Sequence, residues 1–388
     1  MSSPNMRFQS AECSDWVSIT LSTIADVIGG GTPSTSEESY WNGDVQWFTP
    51  SEITSKYVSS SIRTISEEGV RNSSAKPLPK GSILFTSRAT LGLSAINCSD
   101  KIVTTNQGFQ SIIPKDGWSS EFVYYLINQD SFLREVKKLA TGSTFPEISP
   151  TTLKSIIVNV PESKNEQQKI AEFFTALDEK IRLNATKLSN IRSLKSNIAR
   201  TVLFQHKGIQ LNSWVEVQLS DVAEFIKTRD TFDSCIYVGT EHLNKDFGGL
   251  CKEVKDTASG VVFKENDILL SNIRPYLKKL WLSDCKGVCS ADVLVIRSKS
   301  TILPSLLKHI LSTEVFFDYV AKGYKGSKMP RGDKDHIELF DFMIPSDLEV
   351  QRKIADQLDL FEMMIFCLIK KNKHLELLKK AFMQRMFV

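Results

Sequence analysis

A stretch of sequence occurs twice in this chain of 388 residues, as Asn165-Glu-Gln-Gln-Lys-Ile-Ala-Glu-Phe-Phe-Thr-Ala-Leu-Asp-Glu-Lys-Ile181 and as Val350-Gln-Arg-Lys-Ile-Ala-Asp-Gln-Leu-Asp-Leu-Phe-Glu-Met-Met-Ile365. Steps of four and three residues from Ile170 give ten positions of which eight are apolar, and the same steps from Ile354 again give eight of ten. This spacing is the a/d heptad pattern of a coiled coil. Because no Gly or Pro interrupts either stretch, each predicts one helix, roughly 60 Å long for about 40 residues at ~1.5 Å per residue.

Two polar residues interrupt each heptad seam, Asn184 and Lys195 in the first copy and Asn372 and Lys379 in the second. Polar seam residues fix the register of coiled coils, so these four are interpreted as structural rather than catalytic. The alternative is a pair of amphipathic helices buried in one large core. Two copies in a matching register favour pairing of one helix with the other.

The repeat extends beyond the helices. Residues 16–28, Trp-Val-Ser-Ile-Thr-Leu-Ser-Thr-Ile-Ala-Asp-Val-Ile, match residues 214–226, and each copy predicts a short strand followed by a Ser-capped helical turn. Residues 80–88 likewise resemble residues 265–274, a turn and then a buried strand that ends in polar residues and an arginine.

Further matches follow along the chain. Residues 122–139 and 306–322 predict amphipathic helices. A glycine loop comes next in each copy, Thr141-Gly-Ser-Thr-Phe-Pro146 or Lys325-Gly-Ser-Lys-Met-Pro330, and a strand that ends at Pro161 or Pro345 then leads into the long helix.

These matches describe a tandem duplication with a mixed α/β fold. The predicted parts are a domain at 1–160, a long helix at 161–207, a second domain at 208–345 and a second long helix at 346–388. To pair with the first helix, the second must run back along it, which predicts an antiparallel coiled coil with the domains near its opposite ends. The copies diverge most in the middle of each domain, which predicts one scaffold with two different surfaces.

The bulk composition is that of an ordinary globular protein. The chain is 41% hydrophobic and 24% charged, has a net charge of +3, and contains seven cysteines without a C-x-x-C pair. It has no apolar run long enough for a membrane span and no signal peptide, so we expect a cytoplasmic protein without a membrane partner. Neither domain carries net positive charge of its own, and local basic clusters at 274–286 and 322–334 are either solvated loops or phosphate contacts.

A duplicated enzyme would repeat its reactive residues, and none recurs. The glycines of Gly29-Gly-Gly-Thr-Pro33 lack both nucleotide-binding spacings and indicate a tight turn or backbone nest, with anion binding as the alternative. Asp246, Glu253 and Lys255 imitate a nuclease pattern that is absent from the first domain. We therefore predict no catalytic residue, metal site or cofactor site in this chain.

The combination of motifs resembles the specificity subunit of type I DNA restriction–modification systems. The resemblance rests on Gly30-Gly-Thr-Pro-Ser34, Tyr40-Trp-x-Gly-x-Val-x-Trp47, the glycine loop at 141–146, and Pro161 followed by Glu166-Gln-Gln-Lys-Ile-Ala171, and it covers nearly the whole chain. The second copy matches more loosely, with Val350-Gln-Arg-Lys353 in place of Glu-Gln-Gln-Lys.

The resemblance implies a non-catalytic subunit with two target-recognition domains. Each would read one half of a split double-stranded DNA sequence, and the helices would set the gap. Two methyltransferase subunits would bind S-adenosylmethionine, and restriction subunits would hydrolyse ATP. The alternatives are a coiled-coil scaffold without nucleic acid and a self-contained DNA methylase or nuclease.

Within that function, side-chain chemistry selects candidate DNA contacts in both domains. Phe145 and Met329, opposite each other in the repeat, are interpreted as loop-packing residues rather than wedges. The candidates are Arg88, Arg274 and Arg331 for guanine, Gln107 and Gln110 for adenine, Thr86, Thr90, Ser143, Thr144, Ser271 and Ser327 for phosphates or base edges, and Lys278, Lys279, Lys325 and Lys328 for phosphates.

Overall fold

The computed structural model describes residues 4–7, 15–142, 144–204, 213–245, 249–251, 253–326 and 330–387. The chain forms two compact units. Unit 1 is Met1–Leu183 with Lys371–Val388, and unit 2 is Asn184–Lys370. Among the helices in the described ranges, none combines the length and apolarity that a bilayer span requires.

Unit 1 contains three sheets and the first part of a long helix. Its elements are β1 (Trp16–Thr20), α1 (Leu21–Ile24), β2 (Ala25–Gly29), β3 (Trp41–Phe48), β4 (Tyr57–Val58), β5 (Arg63–Ile65), α2 (Glu67–Arg71), β6 (Ile83–Phe85), β7 (Ser94–Asn97), β8 (Val103–Thr105), β9 (Gln110–Pro114), α3 (Ser120–Ile127), α4 (Asp130–Leu139), α5 (Pro150–Ser155), β10 (Ile157–Pro161) and the long helix α6 (Lys164–Phe204), which continues into unit 2. The sheets have the orders β1-β10, β2-β9-β6-β7-β4 and β5-β3-β8.

Unit 2 repeats this plan with a different middle. Its elements are β11 (Trp214–Gln218), α7 (Leu219–Val222), β12 (Ala223–Ile226), β13 (Arg229–Val238), β14 (Glu253–Phe263), β15 (Ile268–Ser271), β16 (Leu280–Leu282), β17 (Gly287–Cys289), β18 (Val293–Ser298), α8 (Pro304–Leu311), α9 (Glu314–Lys322), α10 (Lys334–Glu338), β19 (Asp341–Pro345) and the long helix α11 (Leu348–Met386), whose last part belongs to unit 1. The sheets have the orders β11-β19 and β12-β18-β15-β16, and β13, β14 and β17 pair with one another as a small closed barrel.

The register of the strands confirms the duplication. β1 pairs with β10 so that Trp16 faces Pro161, and β11 pairs with β19 so that Trp214 faces Pro345. The repeated glutamine of the long helices explains part of the sequence motif, because its side chain satisfies the carbonyl at the end of the preceding strand. Gln167 Nε2 donates to Pro161 O at 2.7 Å, and Gln351 Nε2 donates to Pro345 O at 2.8 Å.

The middle of each unit diverges as the sequence predicts. In unit 1, residues between β2 and β6 supply β3 and β5, which join β8 in the sheet β5-β3-β8, and Val45, Trp47 and Ile65 pack together there. In unit 2, the corresponding residues form the long antiparallel pair β13 and β14. Loops and strands inserted at one point of a shared scaffold can change without disturbing its core.

Two local predictions are wrong. Each predicted amphipathic helix is a pair of shorter helices, α3 with α4 and α8 with α9, because the chain leaves the helical conformation at Gln129 and Thr313. Thr313 accepts a hydrogen bond from Phe316 N and so begins a new helix. The short helices α1 and α7 are not capped by serine, since their N-cap residues are Thr20 and Gln218.

The two long helices pack antiparallel within unit 1. The beginning of α6 contacts the end of α11, where the rings of Phe173 and Phe382 lie 5.2 Å apart and those of Phe174 and Phe387 lie 6.0 Å apart. Phe174 and Phe387 both belong to the core that covers the sheets of unit 1. The start of one helix therefore meets the end of the other, as the heptad analysis predicts.

Unit 2 shows the same arrangement with the roles of the helices exchanged. The end of α6 contacts the beginning of α11, and Ala199 and Leu203 share a core with Ala355 and Leu358. Asn184, a polar seam residue, donates from Nδ2 to Leu368 O at 3.0 Å. Its amide thus recognises one backbone position of the opposite helix, which is a contact that depends on register.

The seam lysines also pair across the helices, in equivalent ways in the two units. Lys379 Nζ lies 2.6 Å from Asp178 Oδ1 in unit 1, and Lys195 Nζ lies 2.5 Å from Glu362 Oε1 in unit 2. Asp178 and Glu362 occupy equivalent positions of the repeat. The sequence interpretation of these lysines as register-setting residues agrees with these cross-helix contacts.

A further cation and a histidine complete the group around Glu362. Lys308 on α8 contacts Glu362 and lies 3.2 Å from Asp359 Oδ1, while His309 Nε2 lies 2.9 Å from the same Asp359 atom. Burial acts to raise the pKa of Glu362, but Lys308 and Lys195 outweigh it and hold that pKa below its ordinary value. The carboxylates of Asp359 and Glu362 already pair with lysine ammonium groups. These side chains therefore form an ion-pair network that connects α8 to the long helices.

We expect Glu362→Gln to destabilise the chain. The change removes the negative charge shared by Lys195 and Lys308, whose side chains are only 16% and 14% exposed. The change leaves Lys195 without this ionic partner and Lys308 with Asp359 alone, which should lower the free energy of unfolding by ~1–3 kcal/mol. Urea denaturation followed by circular dichroism measures the effect. Glu179→Gln is the matched control, because Glu179 pairs with Arg182 on the surface of α6 and its loss should leave the midpoint nearly unchanged.

Candidate nucleic-acid interface

Three segments of unit 1 meet where β6 ends and β9 begins, and we call their described residues the rim of unit 1: residues 86–90, 106–109, and 141–142 with 144–147. Backbone hydrogen bonds join them. Ser87 N donates to Gly108 O at 2.8 Å, and Ala89 N donates to Pro146 O at 3.0 Å. Thr141 and Glu147 close the glycine loop through two backbone bonds of 2.9 and 2.8 Å. The scaffold thus fixes the backbone while the side chains remain free to vary.

Unit 2 has a rim with the same backbone connections, made of the described residues 271–274, 290–293, and 325–326 with 330–332. Asn272 N donates to Asp292 O at 2.8 Å, and Arg274 N donates to Pro330 O at 2.9 Å. Lys325 and Arg331 close the second glycine loop through bonds of 2.9 and 3.0 Å. The two rims are therefore equivalent in backbone structure.

The equivalence of the two rims corrects the sequence match that aligned Arg88 with Arg274. Arg88 pairs with Glu147, and Ile273 pairs with Arg331, so the counterpart of Arg88 is Ile273 and not Arg274. Arg274 corresponds instead to Ala89, and both residues have a left-handed backbone, with φ of 49° and 59°. The arginines that end the two strands therefore project from different backbone positions.

Most of the predicted rim residues are exposed. The side chains of Arg88, Arg331 and Lys325 are 51%, 55% and 71% exposed. The other exposed candidates are Thr90, Gln107, Thr144 and Arg274. Gln107 also accepts a hydrogen bond from Thr32, which brings the Gly-Gly-Thr-Pro segment to the rim of unit 1.

Three predicted contact residues are buried, so direct contact with DNA is not supported for them. Thr86 is fully buried and accepts a hydrogen bond from Leu93 N at 2.9 Å, and Ser271, 2% exposed, donates to Ile273 O at 3.0 Å. Gln110 is 8% exposed and lies beside Gly29. The sequence places these polar residues at strand ends but does not show that their hydroxyls and amide turn inward to support the rim.

Three lysines of unit 2 that the sequence predicts as phosphate contacts already have local partners. Lys278 lies 2.5 Å from Glu314 Oε1, and Lys279 donates to Thr240 O at 2.6 Å. Burial lowers the pKa of Lys279, with Lys245 nearby adding to the effect. Lys325 lies 2.6 Å from Asp333 Oδ2, and this hydrogen bond raises the pKa of Lys325. Phosphate contacts by these residues would replace internal ion pairs or hydrogen bonds.

Some predictions lie outside the described residues or are wrong. Ser143, Ser327 and Lys328 are not among the described residues, and neither are Asp246 and Met329. The interpretation of Phe145 as a loop-packing residue is wrong, because its side chain is 65% exposed. An exposed ring on the glycine loop is available for contact with another molecule.

The glycines at 29–31 serve close packing rather than anion binding. Gly30 N donates to Phe109 O at 3.3 Å, and Gly31 N donates to Thr105 O at 2.8 Å. A Cβ atom on Gly30 would lie 2.0 Å from Asn106 O. Since these N–H groups donate to backbone carbonyls, they do not form the anion-binding backbone nest that the sequence allows as an alternative.

The rims also contain two acids that the sequence analysis missed. Glu147 Oε2 lies 3.5 Å from Arg88 Nε in unit 1, and Asp292 Oδ1 lies 2.9 Å from Arg331 Nη2 in unit 2. A signal for Glu147 was present, because it follows the repeated glycine loop directly, at the position that Arg331 occupies in the second copy. Asp292 carried no such signal.

Comparison with known families gives one match that covers most of the chain. Residues 13–193 and 212–378 match the family described as type I restriction modification DNA specificity domain. The match occurs twice, once for each copy of the repeat.

Curated relatives match part of the chain. It is 43% identical over 170 residues to the type I restriction enzyme MjaIX specificity subunit of Methanocaldococcus jannaschii, an alignment that covers 43% of this chain and 39% of the relative. It is 34% identical over 165 residues to the EcoR124I/EcoR124II specificity subunit of Escherichia coli, which covers 41% and 40%. The chain thus spans about four tenths of the length of these relatives.

Solved structures share the fold over the whole chain. The S subunit of a type I restriction-modification system from M. genitalium superposes with a TM-score of 0.64 at 15% identity, covering 100% of this chain and 99% of that one. A chain from a second type I system superposes with a TM-score of 0.61 at 16% identity, covering 98% of both chains. At these identities the likeness concerns the fold alone.

Proposed function

We propose, since this chain belongs to the type I restriction modification DNA specificity family, that it selects the DNA target of a modification complex and catalyses no reaction itself. The observation that carries this proposal is the pair of rims. They have the same backbone hydrogen bonds and different side chains, as expected of two surfaces that read two different half-sites. Function of this kind resides in loops held by a rigid scaffold.

The long helices would set the gap between the half-sites. Both α6 and α11 cross from one unit to the other, and cross-helix pairs in each unit fix their register. A helix adds ~1.5 Å for each residue, so helix length determines how far apart two attached domains can bind.

Partner subunits would supply the chemistry. We assign S-adenosylmethionine to two methyltransferase subunits, one for each copy of the repeat, and ATP to restriction subunits. An exposed apolar face on α11 in unit 2 is suited to a protein partner, because soluble surfaces seldom leave such side chains uncovered. Its members are Leu360, Met363, Met364 and Phe366, which are 59%, 62%, 45% and 56% exposed.

Binding experiments separate this proposal from its rivals. We expect the isolated chain to bind duplex DNA weakly, because neither domain carries net positive charge, and to become sequence-specific with co-expressed methyltransferase subunits. A gel shift with and without those subunits is the measurement. No DNA binding in either sample would indicate a scaffold, and methylation by the chain alone would indicate a self-contained enzyme.

Single arginine changes should affect one half-site at a time. Arg88→Ala should relax recognition in one half of the bipartite target and Arg331→Ala in the other, because the two residues belong to different rims. Loss of a bidentate guanine contact should cost ~1–3 kcal/mol of discrimination. Mapping of methylated adenines on a random-sequence library measures both. Equal damage to the two half-sites from either variant would indicate one composite site instead.

Lengthening both helices should lengthen the gap. Insertion of one heptad into α6 after Asn184 and another into α11 after Leu368, which face each other, keeps the seam in phase. The helices grow by about 10 Å, or roughly three base pairs at ~3.4 Å each. Methylation mapping should then show unchanged half-sites with a longer gap. As a control, two residues inserted into α6 alone should prevent assembly; an active heptad variant with an unchanged gap would contradict the proposed role.

A further inference from the structure

Each rim carries one exposed pair of an arginine and a carboxylate. Arg88 and Glu147 form the pair of unit 1, with 51% and 44% of their side chains exposed. Arg331 and Asp292 form the pair of unit 2, with 55% and 37% exposed. Each pair therefore presents a group of hydrogen-bond donors beside a group of acceptors to the solvent.

The two pairs are built from different positions of the same scaffold. Glu147 and Arg331 occupy equivalent places, since each closes its glycine loop through the same two backbone bonds. The arginine of unit 1 comes from the strand end, and the acid of unit 2 comes from the segment 290–293. The charge after the glycine loop is thus inverted between the units, yet an arginine beside a carboxylate is present in both.

Stability does not account for these pairs. Exposed ion pairs contribute little to folding, because solvent screens them and their side chains lose conformational freedom. The rim pairs also differ from Lys195 and Glu362, which are largely buried between helices. A role in recognition is the more direct physical explanation for two half-exposed pairs at equivalent rims.

The chemistry of one base pair fits this arrangement. In the major groove a G·C pair presents two acceptors, guanine O6 and N7, beside one donor, the N4 amino group of cytosine. A guanidinium can donate to both guanine atoms while the neighbouring carboxylate accepts from cytosine. An A·T pair lacks the two adjacent acceptors and so does not satisfy the same pair.

We propose that the two rim pairs, Arg88 with Glu147 and Arg331 with Asp292, each read one G·C base pair, the arginine on guanine and the carboxylate on cytosine. This inference rests on the proposed function and adds Glu147 and Asp292 as specificity-determining residues. It also means that each half-site contains at least one G·C pair. Because the pairs have different origins, the two half-sites need not place that base pair at the same position.

The test uses the chain assembled with its methyltransferase subunits. Glu147→Gln and Asp292→Asn remove the charge and keep the size of the side chain, and an amide in place of a carboxylate favours adenine. Selection on a random-sequence duplex library should show a 5- to 150-fold loss of preference for G·C, the range of ~1–3 kcal/mol, at one position of one half-site, with new tolerance of A·T there. Each variant should leave the other half-site unchanged.

Asp100→Asn is the matched control. Asp100 forms an exposed pair with Lys80 at 2.6 Å in unit 1 and lies outside the rim, so its removal should not alter the selected sequence. A uniform loss of affinity at all positions, or an unchanged half-site, in the Glu147 and Asp292 variants would overturn the inference while the proposed function stands. If the unmodified complex selects no bipartite sequence, the proposed function itself fails.

Discussion

Antiparallel pairing of α6 with α11 is the constraint on which the rest of the structure depends. In each unit the beginning of one long helix meets the end of the other, and a lysine of one copy pairs with an acid of the other copy, Lys379 with Asp178 and Lys195 with Glu362. The same helices supply apolar side chains to the cores of both units, such as Phe174 in unit 1 and Leu203 in unit 2. A shift in register would therefore disturb two cores and two ion pairs together.

The scaffold of each unit positions the rim relative to the long helices. The glutamine of each long helix holds the strand that precedes it, that strand pairs with the first strand of the unit, and the central sheet then places three segments side by side as a rim. Buried Thr86 and Ser271 support the rims from below through bonds to backbone atoms. What remains exposed is a small number of side chains, which can change without altering the backbone that carries them.

One architecture carries two different surfaces in this chain. The middle of unit 1 is a small sheet and that of unit 2 is a long strand pair, while the rim backbones coincide in their hydrogen bonds. The charge inversion between Glu147 and Arg331 shows the same freedom at a single position. On the proposed function, such a protein would acquire a new half-site by changing one rim, because the long helices and the cores belong to the part of the chain that both copies share.

The sequence by itself determined the duplication, the two long helices and their antiparallel pairing, because heptad spacing and the absence of Gly and Pro are local properties that the chain displays directly. It also placed candidate residues on the rims. Only the tertiary structure decided which of them face solvent, since Thr86, Gln110 and Ser271 are buried in the folded units. The tertiary structure alone showed that Ile273 is the counterpart of Arg88 and that Asp292 lies beside Arg331. A contact between distant segments depends on the packing of the sheet and leaves no local pattern in the sequence.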